Sequence, residues 1–96
     1  MIKYLENDNL NDFIKEGIVL VDFYADWCGP CKMLGNVLEG MDLNVVKVNT
    51  DKFPELAQKF GVMSIPTVVI YKDGKESTKF IGFRSKEEIN EIVSSL

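Results

Sequence analysis

Apolar residues along this chain recur with two different periods, and the alternation between them lays out the elements. After a short apolar start at Ile2 to Leu5, Asn7-Asp8-Asn9 offers capping side chains to a segment whose Leu10, Phe13 and Ile14 fall at i, i+3 and i+4, and Gly17 stops it. This predicts a first helix. Ile18 to Tyr24 is a nearly unbroken apolar, β-branched run, the pattern of a strand covered on both faces, with the charge of Asp22 inside it. Met33, Leu34, Val37 and Leu38 return to helical spacing as far as Gly40, and Pro30 stands where a first helical turn tolerates proline. Val45 to Val48 reads as a second buried-type strand, again carrying one charge, Lys47. Phe53 to Phe60 makes a short helix with Pro54 near its start and Gly61 as its stop.

Thr67 to Tyr71 and Ser77 to Ile81 then read as two strands joined across Lys72-Asp73-Gly74-Lys75, whose Asp-Gly marks a tight hairpin. Ser85 and Glu88 form a capping box ahead of Ile89, Ile92, Val93 and Leu96 at i, i+3, i+4 and i+7, which predicts a closing helix. The order β-α-β-α-β-α-β-β-α is that of an α/β protein. Parallel crossovers followed by an antiparallel hairpin imply a central mixed sheet of about five strands flanked by helices on both faces. The 96 residues show no repeat, linker or low-complexity segment, and 46% hydrophobic content is enough to fill one core, so residues 1–96 are expected to form a single domain.

Composition narrows the chemistry. There is no histidine, which removes Ser-His-Asp triads, Cys-His pairs, His-ligated zinc and histidine proton shuttles. Carboxylates, lysines and two cysteines remain. The net charge of −4, with basic residues scattered along the chain, argues against nucleic acid or an anionic membrane surface as a partner. The first residues turn acidic where a signal peptide needs an apolar stretch, and no apolar run is long enough to span a bilayer, so a cytoplasmic protein is expected. Thiols are kept reduced there, and two cysteines at C-x-x-C spacing are then reactive or metal-binding more often than structural.

Cys28-Gly29-Pro30-Cys31 lies at the carboxyl end of a buried strand and opens the next helix. Open α/β sheets bind ligands at that end, and unpaired helix N–H groups there favour negative charge. Cys28 falls at or just before the first turn, where a thiolate is stabilised, and Cys31 lies three residues deeper on the same face. One thiol is expected to be exposed and acidic, the other shielded.

The segment Val21-Asp22-Phe23-Tyr24-Ala25-Asp26-Trp27-Cys28-Gly29-Pro30-Cys31-Lys32-Met33 resembles the active-site segment of the thioredoxin family. Lys47 with the following Val48-Asn49-Thr50-Asp51, the stretch Gly61-Val62-Met63-Ser64-Ile65-Pro66-Thr67, the Lys72-Asp73-Gly74 hairpin and Gly82 match further landmarks in order, so the resemblance covers the whole chain. It implies the thioredoxin fold and a protein-disulfide reductase working through a Cys28-Cys31 dithiol, with Cys28 attacking a substrate disulfide and Cys31 resolving the mixed disulfide. Gly-Pro between the cysteines, where disulfide isomerases carry a histidine, points to the reducing branch.

The resemblance also gives the two strand charges roles. Burial of Asp22 is expected to raise its pKa and let it serve Cys31 as general base or acid, with Lys47 as its charge partner. Ile65-Pro66 becomes a cis peptide facing the cysteines, leaving the Ile65 main chain free to pair with an extended substrate. Trp27, Gly29, Pro30, Ile65, Pro66 and Gly82 would form the docking surface around Cys28, extended by Met63 and Phe83. No bound cofactor is implied, NADPH and FAD belonging to the partner thioredoxin reductase. The other partners are disulfide-containing proteins, and a monomer is expected.

Three positions depart from the family pattern. Asn36, preceded by Gly35, stands where a kinking proline is usual, so a bend there must come from Gly-Asn flexibility. The stretch from Val37 to Lys47 is more than one helical turn shorter than in typical members, and Tyr24 replaces a common tryptophan. The competing reading from another class is a thioredoxin-like interaction module with little turnover, for which a resolving thiol has no use. A metal site would need a dimer, since one C-x-x-C supplies two ligands. A purely structural disulfide across so small a loop would stabilise little.

Overall fold

In the computed structural model, which covers residues 1–96, the chain runs β1 (Ile2–Tyr4), a 3₁₀ turn (Leu10–Phe13), β2 (Ile18–Tyr24), α1 (Gly29–Glu39), β3 (Asn44–Asn49), α2 (Pro54–Lys59), β4 (Thr67–Lys72), β5 (Lys75–Ile81) and α3 (Lys86–Ser94). The sheet order is β1-β3-β2-β4-β5. β3 pairs in parallel with both β1 and β2, whereas β4 runs antiparallel to β2 and to β5. This is the mixed sheet expected from the element order, with β2 at its centre between β3 and β4.

Strand alternation sorts the core into two layers. Val19, Val21 and Phe23 of β2, with Val46 and Val48 of β3, face one side, where Leu10, Ile14 and Ala57 cover them. Leu20 and Val45 face the other, against Leu34 and Leu38 of α1 and Ile89 of α3. Asp22 and Lys47 share the parity of Leu20 and Val45 and are direct neighbours across β2 and β3. The fold therefore aims both charges at the layer that α1 occupies.

The first helix is reduced to a single 3₁₀ turn. The Asn9 side chain donates to the Asp12 carboxylate at 2.6 Å instead of capping the backbone, and Asn7 Oδ1 accepts from the Asn9 N–H. Asn and Asp side chains that satisfy one another this way compete with helix, and the few residues before Gly17 cannot offset the cost of nucleation. Leu10 and Ile14 still bury as their spacing requires, while Phe13 lies at the surface.

Elsewhere the local signals set the ends. Asp73 (φ 51°) and Gly74 (φ 85°) form the two-residue turn of the β4–β5 hairpin, and β5 begins at Lys75, two residues ahead of the apolar pattern. The capping box of α3 is complete: Ser85 Oγ accepts from the Glu88 N–H, and Glu88 Oε1 accepts from the Ser85 N–H, each at 3.1 Å. Only Ile89 of that helix is fully buried, with Ile92, Val93 and Leu96 packing at the margin of the core.

Candidate active site

The chain leaves β2 at Tyr24, turns through Ala25, Asp26 and Trp27, and places Cys28 as the N-cap of α1 in an extended conformation. A capping side chain accepts from the N3 amide. Here the acceptor is sulfur: Cys28 Sγ lies 3.2 Å from the Cys31 N–H. Cys28 and Cys31 are joined in a disulfide with their Cα atoms 5.2 Å apart. That amide and the positive end of the helix both face Cys28 Sγ.

The contrast in access between the two sulfurs is smaller than expected. Cys28 is 6% exposed and Cys31 1%, so Cys28 is a buried residue that keeps a small exposed edge. Ile65 covers part of it, its carbonyl oxygen 3.9 Å from Cys28 Sγ. The Ile65-Pro66 peptide is cis, as the resemblance implies.

Around that edge lie Trp27, Gly29 and Pro30, all exposed, with half-buried Ile65 and Gly82. Pro66 is buried and does not contribute open surface. It shapes the rim from beneath, its carbonyl accepting from the Gly82 N–H at 2.8 Å. Gly82 holds φ 86°, a left-handed value that suits glycine. Met63 and Phe83, expected to extend the apolar surface, are both exposed, at 96% and 38%. Met33, expected among the buried positions of α1, is also exposed.

Asp22 has no exposed surface, and neither carboxylate oxygen has a hydrogen-bond partner. Its one polar neighbour is Lys47, whose Nζ lies 3.3 Å from Oδ2. Burial pushes the Asp22 carboxyl well above its ordinary range, and the lysine opposes this only in part. Both strand charges are thus buried and paired as anticipated.

Several residues without an expected site role belong here. Asp51 Oδ2 accepts from the Trp27 indole N–H at 2.9 Å and fixes a side chain that is 71% exposed. Asn49 Oδ1 accepts from the Asp51 and Lys52 N–H groups and shapes the loop that carries Asp51. The Asn-x-Asp at the end of β3 is a turn signal that could have flagged this loop. Gly35 lies inside a continuous α1, and a β-carbon there would stand 3.1 Å from Lys47 Nζ. The space it leaves serves Lys47.

The sequence profile of the thioredoxin family matches residues 1–95. The chain belongs to the thioredoxin family. Among curated relatives, the thioredoxin of Chlamydia caviae is 43% identical, covering 98% of this chain and 97% of its own. That of Bacillus subtilis is 48% identical over 82% of each chain. Among solved structures, a mutant thioredoxin from Halobacterium salinarum superposes with a TM-score of 0.90 at 34% identity, covering 98% of this chain and 88% of its own. Like other thioredoxins, the chain is a thiol–disulfide oxidoreductase, and the Cys28–Cys31 pair is its redox group. No helix is long and apolar enough to cross a membrane.

Proposed function

We propose that the chain reduces disulfides in cytoplasmic proteins, acts as a monomer and is itself reduced by a thioredoxin reductase. The observation that supports the residue roles is the Cys31 N–H against Cys28 Sγ, a helix-start donor of the kind that favours a thiolate at Cys28. Cys28 thiolate attacks one sulfur of a substrate disulfide. That bond breaks, a Cys28–substrate bond forms, and the other substrate sulfur leaves as a thiolate and takes a proton. Cys31 then passes its proton to the Asp22 carboxylate and attacks Cys28 Sγ. The mixed disulfide breaks, the second substrate thiolate leaves and collects a proton, and the Cys28–Cys31 disulfide forms. Two electrons pass from the dithiol to the substrate; one of the two protons comes from Cys31 by way of Asp22, and the other from solvent, which took it when Cys28 ionised.

Asp22 suits the proton step because burial raises its affinity for a proton, while Lys47 keeps the ionised form accessible. Substrate is held by Trp27, Gly29, Pro30, Ile65 and Gly82, with Pro66 beneath. The Ile65 N–H makes no hydrogen bond within the protein, which supports main-chain pairing with an extended substrate strand. Insulin reduction driven by dithiothreitol tests this reading. Wild type should accelerate precipitation of the insulin chains and Cys28→Ser should abolish the acceleration. A Cys28→Ser variant as fast as wild type would refute it.

A further inference from the structure

The Lys47 ammonium is held in place by more than its ion pair. Beside α1 opens a cleft of about 430 Å³ whose lining includes Lys47 and Cys31. The lysine stem is long enough for its head to swing into that space and be hydrated. It does not: Nζ lies over the Tyr24 ring, 4.4 Å from the centroid, and 5.9 Å from that of Tyr4. Tyr4 meets Tyr24 edge-on, with centroids 6.2 Å apart and planes at 80°. On the helix side Gly35 offers no β-carbon, and one would stand 3.1 Å from Nζ. The ammonium thus occupies a seat with an aromatic wall, a glycine wall and the Asp22 carboxylate.

We infer that Tyr24 is a positioning residue for Lys47, and through it for Asp22: its ring face, braced by Tyr4 and opposed by Gly35, holds the ammonium beside the carboxyl in both protonation states. This rests on the proton-transfer reading of Asp22. When Asp22 takes the Cys31 proton, the attraction between carboxylate and ammonium vanishes, and the lysine would be free to leave through the cleft. The attraction between cation and ring does not depend on that proton. A lysine kept in place is there to face the carboxylate charge as soon as the proton departs. Burial, and then Asp26, keep the Tyr24 phenol above its ordinary range, so the ring stays neutral while Asp22 titrates.

The ionisable groups around the cleft are Tyr4 from β1, Tyr24 and Asp26 at the end of β2, Lys32 and Glu39 from α1, and Lys47 from β3. The test titrates the Asp22 carboxyl by ¹³C NMR in the oxidised protein, where the cysteines do not titrate. Tyr24→Leu should raise the midpoint by ~0.5 to 1 unit as the ammonium moves away, and Tyr24→Phe should restore the wild-type value. In a Lys47→Met background, Tyr24→Leu should add no further rise. Tyr24→Met replaces Tyr24→Leu if the latter does not fold. An unmoved midpoint in Tyr24→Leu, or an equal rise without Lys47, overturns the inference. Turnover of Asp22→Asn separates the two ideas. If it equals wild type while Tyr24→Leu moves the midpoint, the proton-transfer reading has failed, and with it the functional role of the seat. If it is slow while the midpoint stays fixed, the positioning role alone has failed.

Discussion

Replacing Asp22 with asparagine separates what the buried carboxyl does for the reaction from what it costs the fold. Asp22 is wholly buried without a hydrogen bond, and desolvation outweighs the attraction of Lys47 at 3.3 Å. An asparagine of the same shape removes a charge the site stabilises poorly. Lys47 keeps the Tyr24 ring at 4.4 Å and an open cleft, so its charge is not stranded. Asp22→Asn should therefore be more stable at neutral pH, by about 1.4 kcal/mol for each pH unit by which burial has raised the carboxyl in the folded state. The gain must depend on pH. Below the ordinary carboxyl value of 3.8 the aspartate is protonated in the folded and unfolded states alike, and the two proteins should be equally stable. Above it the folded state retains a proton that the unfolded state has released, so wild type loses up to about 1.4 kcal/mol per pH unit relative to the variant. Past the raised folded value the difference levels off. Urea unfolding of both oxidised proteins at a series of pH values measures it. A difference that is constant with pH, or that shrinks as pH rises, would refute the reasoning. The same variant should slow the Cys31 step at pH 7, because no carboxylate is left beside the buried thiol to take its proton.

Other residues give simpler outcomes. Asp51→Ala releases the Trp27 indole and should weaken protein-substrate affinity about fivefold, the worth of one hydrogen bond, while the reaction with a small disulfide is unchanged; Trp27 is the only tryptophan, so its fluorescence reports the release. Gly82→Ala forces a side chain into φ 86° and should cost about 1 to 2 kcal/mol in urea unfolding, although a methyl would meet nothing nearer than Arg84 Nη1 at 3.8 Å. Ser85→Ala removes one half of the α3 capping box at a cost of about 1 kcal/mol. Hydrogen bonds from Ser85 hold Glu88 below the ordinary carboxylate range, so its contribution to stability is present above 4.5 and lost as pH falls through its lowered folded value; a Glu88→Ala variant should lack that component in acid unfolding.

Most of the fold was legible because each strand and long helix carries its own period. The runs at Ile18 and Val45 specify buried strands, and Ser85 with Glu88 writes the start of α3. The first helix was misread because spacing alone does not show that Asn9 spends its side chain on Asp12. The cysteines and the two strand charges were legible from position and family likeness together. The partners of those groups were not. Asp51 reaches Trp27 from 24 residues away, and Gly35, which the sequence suggested as a hinge, is the vacancy beside Lys47. Such contacts arise when strands and helices meet, and no local pattern encodes them. The burial of Cys28 has the same origin, since the chain that covers it comes from Ile65.

The central claim is a division of labour between two sulfurs, Cys28 attacking and Cys31 resolving. Mass spectrometry of the reduced Cys31→Ser variant after reaction with a peptide disulfide tests it most directly. The account predicts one peptide half joined to Cys28 in a mixed disulfide that persists, and no such adduct in Cys28→Ser. A stable adduct on Cys31 in the Cys28→Ser variant, formed as fast as the other, would contradict it.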